Sequence, residues 1–116
     1  MLAITDFRLE HKLKMCVVLR AIIQYRDGIT WNNLSDLTGL AYFNGLGGCT
    51  RELLDRKAID RIKLEDGVTF YPTRMAEDEL ASLRSDIVNT CEDIQSLLSG
   101  DETVPYRNWP DYDEQP

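Results

Sequence analysis

The stretch that decides the fold is RELLDRKAIDRIKLEDGVTFYPTRMAEDEL, residues 51–80. Its middle, from Ile59 to Leu64, alternates as a β-strand does, with basic and apolar side chains taking turns from Arg61 to Leu64. The apolar and the basic residues fall on opposite faces of that strand: Ile62 and Leu64 on one, Arg61 and Lys63 on the other. The alternation therefore predicts a short strand with one basic face.

A hairpin is predicted directly after this strand. Asp66-Gly67 is a strong signal for a two-residue turn, because both turn positions need a positive φ. Val68 to Tyr71 then forms the returning strand, and Pro72 closes it because proline cannot donate to a ladder. Thr73 can cap a last helix that runs to about Ser99, where Gly100 ends it.

Three helices are predicted before the hairpin. The first covers residues 6–26, with Asp6 or Thr5 as its cap and Asp27-Gly28 as its end. The second covers residues 29–40, where Gly39 is the stop and one apolar stripe recurs at helical spacing: Trp31, Leu34 and Leu37. The third ends near Lys57 and starts anywhere from Tyr42 to Gly48, because the glycines of NGLGG weaken a helix by about 1 kcal/mol each against alanine.

The last helix carries an apolar seam at alternating three- and four-residue spacing. Thr90 or Cys91 fills one step of it, and the residues predicted to mediate dimerisation are Leu80, Leu83, Ile87, Cys91, Ile94 and Leu97. The seam either folds back on the first helix or pairs with a second copy of the chain. We favour pairing as a two-fold homodimer, since the stripe continues for about five turns beyond the hairpin.

Charge is distributed unevenly over the 116 residues, whose formal net charge is -7. Residues 1–75 hold eleven basic and nine acidic residues, whereas residues 76–116 hold two basic and eleven acidic ones. The acid thus lies in the last third, and residues 100–116, with three prolines and no periodicity, are predicted to form a disordered acidic tail. No apolar run is long enough for a membrane span or a signal peptide, so we expect a cytoplasmic protein.

Enzyme chemistry is not expected from this sequence. His11 is the sole histidine, and it is interpreted as a surface residue. Cys16, Cys49 and Cys91 are far apart and odd in number, which fits neither a metal site nor a disulfide framework. No nucleotide-binding or catalytic motif occurs. We therefore expect no catalytic residues, no metal and no cofactor.

The order helix, short helix, third helix, hairpin and long helix resembles that of winged helix-turn-helix regulators, especially the MarR-like and PadR-like groups. Three segments carry the likeness: LSDLTGL at 34–40, RELLDRKAIDRI at 51–62 and FYPTRMAEDEL at 70–80. The resemblance implies a mainly α fold with a small β-hairpin wing (α+β). It implies a winged domain over residues 1–75 and a C-terminal dimerisation helix, coiled-coil-like, over residues 76–99.

The resemblance also implies that double-stranded DNA is the partner of a transcription regulator. In such domains the third helix enters the major groove and the wing touches the backbone. Asn44 and Thr50 would then reach base edges, and Arg51 would take a guanine or a phosphate. Four further basic residues would lie near the helix end or on the wing: Arg56, Lys57, Arg61 and Lys63.

A second reading of the same sequence is a protein-binding adaptor or inhibitor on a winged-helix scaffold. Fold does not fix function, and this scaffold also serves protein contacts. The acidic last third and its aromatic residues Tyr106, Trp109 and Tyr112 favour a contact with a host protein. Such a chain could come from a phage or mobile element and present its carboxylates as a DNA mimic.

Overall fold

A computed structural model describes residues 9–99 of the chain, which contain both helices and strands. The elements are α1 Leu9–Gln24, β1 Ile29–Thr30, α2 Trp31–Thr38, a single 3-10 turn Tyr42–Asn44, α3 Leu46–Asp55, β2 Ile59–Leu64, β3 Gly67–Pro72 and α4 Ala76–Leu98. These residues form a mixed α+β fold with four α-helices and a three-stranded antiparallel sheet. The predicted α+β class is confirmed, and the arrangement is compatible with a winged helix. The predicted start of the first helix and the acidic tail lie outside the described residues.

The sheet contains one strand that the sequence analysis missed. Its order is β1-β3-β2, so β3 is central and pairs with both neighbours. Residues 29–30 had been assigned to the second helix, and that assignment is wrong because Ile29 pairs with Phe70 of β3. The helix begins at Trp31, and the Thr30 hydroxyl oxygen accepts from the Asn33 backbone N–H at 3.2 Å. A strand of two residues is too short to show an alternation.

The hairpin between β2 and β3 turns one residue earlier than predicted. Leu64 pairs with Gly67, which leaves Glu65 and Asp66 as the turn. Gly67 has a φ of 138°, but Asp66 does not have a positive φ. The assignment of Asp66-Gly67 as the two turn residues is therefore wrong. The hairpin itself and both of its strands are confirmed.

The core forms around α1, which packs against α4, α3 and α2. Buried α1 residues include Met15, Val18, Leu19 and Ile22, each with no exposed area. Phe70 of β3 contributes the largest buried side chain, and Trp31 packs beside it with ring centroids 6.1 Å apart. One core therefore joins the sheet to all four helices.

The start of α4 differs from the prediction. Met75 precedes the helix without a side-chain cap, so the assignment of Thr73 as the cap is wrong. The Thr73 hydroxyl instead donates to the Lys57 carbonyl at 2.7 Å and accepts from the Met75 N–H at 3.1 Å. Its backbone N–H also donates to the Ala58 carbonyl. Thr73 therefore ties the end of the hairpin to the junction between α3 and β2.

The apolar seam of α4 is divided between the core and the surface. Leu80 and Leu83 are 8% and 1% exposed and belong to the core, where α4 packs against α1. Further along the helix, Ile87, Thr90, Ile94 and Leu97 are half-buried, whereas Cys91 is exposed. Thr90, and not Cys91, therefore continues the covered line. Pairing of the helix with a second copy stays a prediction.

None of the helices within residues 9–99 is long and apolar enough to cross a membrane.

Candidate nucleic-acid interface

One side of α3 is free of the core and open to solvent. The opposite side, with Leu46, Cys49 and Leu53, is fully buried. The open side carries Gly48, Arg51 and Asp55, which recur at three- and four-residue spacing and therefore share one face of the helix. The open side of α3 thus presents one basic residue, Arg51, with a glycine and an aspartate beside it.

Strand β2 places its basic residues beside this open side. Residues that face each other across an antiparallel ladder point to the same side of the sheet. Arg61 pairs with the buried Phe70, so Arg61 points toward the layer that contains the helices. Lys63 lies on the same side two residues further, roughly 7 Å along the strand. The predicted separation of basic and apolar faces on β2 is confirmed, and Ile62 and Leu64 are about half exposed on the other face.

Arg51 and Arg61 meet in an open cleft between α3 and β2. The cleft has a volume of about 300 Å³ and is lined by Gly47, Thr50, Arg51, Leu54, Asp55 and Arg61. Within residues 9–99 neither guanidinium forms an ion pair, although one carboxylate, that of Asp55, shares the cleft. Two arginine side chains that line one concavity can bind a phosphate or a base edge. We call Gly48, Arg51, Arg61 and Lys63 the α3–β2 face.

Thr50 and Asn44 are not part of this face. The Thr50 side chain is 5% exposed, and its hydroxyl lies 2.9 Å from the Leu46 carbonyl, to which it donates. The Asn44 carboxamide oxygen accepts from the Ala41 N–H at 2.5 Å, which closes the 3-10 turn before α3. Because both side chains are used inside the fold, we leave them out of the interface that we propose.

Arg56 is held in a network that joins three helices. Its guanidinium contacts Glu52 of α3 at 2.6 Å and Glu79 of α4 at 2.5 Å, and Glu52 in turn contacts His11 of α1 at 2.8 Å. The hydrogen bond to Glu79, with that to Glu52, raises the pKa of Arg56. Burial opposes ionisation of Glu52, but the hydrogen bonds from His11 and Arg56 prevail and lower its pKa. Arg56 therefore stabilises the helix packing.

Lys57 occupies a backbone position that usually belongs to glycine. Its φ is 63°, and it is the sole non-glycine residue with a positive φ within residues 9–99. The N–H groups of Lys57 and Ala58 donate to the carbonyls of Leu54 and Leu53, which is the Schellman pattern at the end of a helix. A left-handed conformation costs an ordinary residue about 1 kcal/mol, so the fold alone would favour glycine here. The lysine side chain is exposed.

Gly48 is the converse case, a glycine that the fold does not need. A Cβ at Gly47 would come within 2.7 Å of the Tyr42 ring, whereas a Cβ at Gly48 would meet only the His11 Cε1 at 3.9 Å. The sequence analysis treated both glycines as weak points of a helix. The signal that separates them is long-range packing, which the sequence does not reveal.

Replacing Gly48 by alanine tests whether the stability of the fold requires a glycine at this position. We expect Gly48→Ala to raise the free energy of unfolding by about 0.5–1 kcal/mol, because alanine is the better helix former and the added methyl group has room. Gly47→Ala is the matched control and should destabilise the protein, since Tyr42 must move. Urea unfolding of both variants beside the wild type measures this difference. A loss of stability in Gly48→Ala would contradict the packing described here.

The cysteines do not form a reactive cluster. Cys49 is buried, and this burial raises the pKa of its thiol to about 11, so it stays protonated at neutral pH. Cys16 is half-buried and Cys91 is exposed. Within residues 9–99 no group of three or more His, Cys, Asp or Glu side chains could hold a metal ion.

Comparison with protein-family models, with curated proteins and with solved structures finds no match for this chain.

Proposed function

We propose that this chain is a winged helix-turn-helix transcription regulator that binds double-stranded DNA as a homodimer. In this proposal α3 enters the major groove and the β2–β3 hairpin serves as the wing on the adjacent backbone. The observation that carries it is the meeting of Arg51 and Arg61 around one open cleft, with Lys63 on the same side of β2. Helix and wing thus present basic groups to one ligand surface.

Arg51 is the candidate for reading a base. It is the only basic side chain on the open side of α3 between Leu46 and Asp55. An arginine in the major groove donates two parallel hydrogen bonds to guanine, which discriminate by about 1–3 kcal/mol. Arg61, Lys63 and Lys57 would contact phosphates and set the position of the domain on the duplex.

Two positions that conflict with local preference support this placement. Gly48 leaves the first turn of α3 without a side chain on the open side, and glycine there allows close approach to a phosphate or sugar. Lys57 places its positively charged side chain at a position where glycine would adopt the left-handed backbone conformation at lower cost. Gly48 belongs to the α3–β2 face, and Lys57 lies in the junction that follows α3. Conflicts of this kind are expected to concentrate at functional sites.

The net negative charge of residues 9–99 lies on a different element. Helix α4 carries a single base, Arg84, against six acids: Glu77, Asp78, Glu79, Asp86, Glu92 and Asp93. Carboxylates repel phosphate, so this helix would limit non-specific binding while the α3–β2 face makes the contacts. Net charge alone therefore does not argue against DNA as the partner.

The salt dependence of binding tests this function. We expect the full chain to bind a duplex with an affinity that falls steeply between 50 mM and 200 mM salt. If Lys57, Arg61 and Lys63 of two copies each neutralise one phosphate, the slope of log K against log salt is about -5. Fluorescence anisotropy with a labelled duplex gives the slope. No binding at the lowest salt, by a protein that circular dichroism shows to be folded, would refute the function.

A second candidate function is a protein-binding adaptor, and the acidic surface of α4 favours it. Such a surface fits a basic patch on a host protein, in the manner of a DNA mimic. The two functions predict different effects when acidic residues of α4 are neutralised. Neutralising Asp78 and Asp86, two exposed acids of α4, would weaken an adaptor contact, whereas DNA binding would be retained or increased.

A further inference from the structure

A second line of residues runs along the exposed side of α4, apart from the line that faces the core. Its members recur at alternating three- and four-residue spacing: Ala81, Arg84, Val88, Cys91, Gln95 and Leu98. All six are exposed, with 53% of Val88 and 80% of Leu98 open to solvent. This spacing is that of a coiled-coil seam. We call these six residues the outer seam.

We propose that the outer seam pairs with the outer seam of a second copy in an antiparallel coiled coil, about a two-fold axis between Asn89 and Thr90. Dimerisation was predicted on the line that faces the core, but Leu80 and Leu83 of that line are buried inside the same chain. Of the residues predicted from the sequence to mediate dimerisation, Cys91 is the one that lies on the outer seam. This arrangement describes the homodimer of the proposed function, on which it rests, but it can be tested in the absence of DNA.

Charge selects the antiparallel direction. On its own helix Arg84 has only apolar neighbours three and four residues away: Leu80, Ala81, Ile87 and Val88. In a parallel pair, equal positions face each other, so Arg84 would meet Arg84 of the partner subunit across the seam. In the antiparallel pair Arg84 lies opposite Gln95 of the partner subunit and one turn from Glu92 of the partner subunit. The antiparallel pair therefore replaces the repulsion between the two arginines with contacts from Arg84 to Gln95 and Glu92 of the partner subunit.

The residues beside the seam select the same direction. Half-buried Ile87 flanks the outer seam on one side, and exposed Glu92 flanks it on the other. A parallel pair places Ile87 against Glu92 of the partner subunit, which would bring a carboxylate onto an apolar contact. The antiparallel pair places Ile87 against Ile94 of the partner subunit instead. Apolar residues therefore meet each other at the flank.

Side-chain size is complementary along the antiparallel seam. Ala81 lies opposite Leu98 of the partner subunit, and Val88 lies opposite Cys91 of the partner subunit. A small residue thus faces a large one at the ends, which is how facing positions interdigitate. The same register predicts that the two Cys91 thiols are offset along the axis and poorly placed for a disulfide.

Cysteine pairs test the register in the full chain. Oxidised glutathione is added to wild type, Cys91→Ser, Val88→Cys, and Val88→Cys combined with Cys91→Ser, and covalent dimer is followed on non-reducing gels. We expect Val88→Cys to link at least about tenfold faster than the other three, because its new thiol lies opposite Cys91 of the partner subunit. The Cys91→Ser protein reports any background from Cys16 and Cys49.

The other outcomes overturn the proposal in distinct ways. Rapid linking in wild type and in the double variant, as fast as in Val88→Cys, would show a parallel pair. No linking above the Cys91→Ser background, with a monomer in light scattering, would show that the outer seam does not pair. Neither outcome depends on DNA, so the proposed DNA contact is tested separately.

A charge exchange gives a second and independent readout. Arg84→Glu should weaken the dimer about tenfold, because it places a carboxylate beside Glu92 of the partner subunit. Adding Glu92→Arg should restore the affinity in the antiparallel arrangement. Sedimentation over a range of concentrations measures both dissociation constants. Failure of the second substitution to restore dimerisation would contradict the register.

Discussion

Reversing both arginines of the α3–β2 face, with Arg51→Glu and Arg61→Glu in one protein, is expected to lower the affinity for duplex DNA at least about 100-fold. Each copy loses two cationic contacts and gains two carboxylates that repel phosphate. Both side chains are exposed and unpaired within residues 9–99, so the substitutions should leave the fold intact. Anisotropy titrations at fixed salt measure the change.

The matched control carries the same change of charge elsewhere. Arg20 is exposed on α1, and Arg26 forms only an exposed ion pair with Glu77. We expect Arg20→Glu with Arg26→Glu to weaken binding by less than about fivefold, since only the long-range field changes. Equal losses in the two double variants would mean that net charge, rather than the α3–β2 face, governs binding.

The second large effect concerns the stability of the fold. Leu34 and Leu37 lie in the same short helix, yet Leu34 is fully buried and Leu37 is 49% exposed. We expect Leu34→Ala to lower the free energy of unfolding by about 2–5 kcal/mol, through lost burial and the cavity that remains. A loss of this size is a large fraction of the total stability of a small domain.

Leu37→Ala serves as the control, because it removes the same atoms from a half-exposed site. We expect it to cost less than about 1 kcal/mol. Chemical denaturation followed by circular dichroism gives both values. Similar losses for the two variants would contradict the packing of α2 against the core.

The elements with clear periodicity were predictable from the sequence. The helical pattern that includes Leu9 and Ile22, the alternation over 59–64 and the spacing along 80–97 each span several residues and identify their element. β1 was missed because Ile29 and Thr30 belong to a strand only through pairing with Phe70 and Thr69 of β3, which are 41 and 39 residues away in sequence. The turn was misplaced by one residue because a glycine after a turn and a glycine within it look alike in sequence.

The candidate site was predictable only in part, because exposure depends on how each helix is rotated against the core. Arg51, Arg61 and Lys63 were identified as basic and exposed, and the structure places the two arginines together. Thr50 was identified beside them, but it follows Leu46 by four residues and precedes Leu53 by three, so it shares their buried side. Arg56 was also identified, yet its partner Glu79 lies 23 residues away on another helix.

The apolar seam of α4 was also predictable from the sequence only in part. Three- and four-residue spacing identified an apolar line, but spacing does not reveal what covers it. Leu80 and Leu83 are covered by the chain's own α1, whereas the outer seam one residue further along is left open. Two overlapping lines of nearly equal spacing can be separated only once the packing of α1 is known.

Selection from a random pool of duplexes shows directly whether this chain recognises a DNA sequence. The full chain is incubated with the pool at physiological salt, bound duplexes are sequenced, and the Arg51→Glu, Arg61→Glu protein is run in parallel. We expect the wild type to enrich one motif made of two symmetry-related half-sites, each of which contains a guanine. We expect the variant to enrich no motif. A folded wild-type protein that enriches no sequence, or the same sequences as the variant, would contradict this expectation.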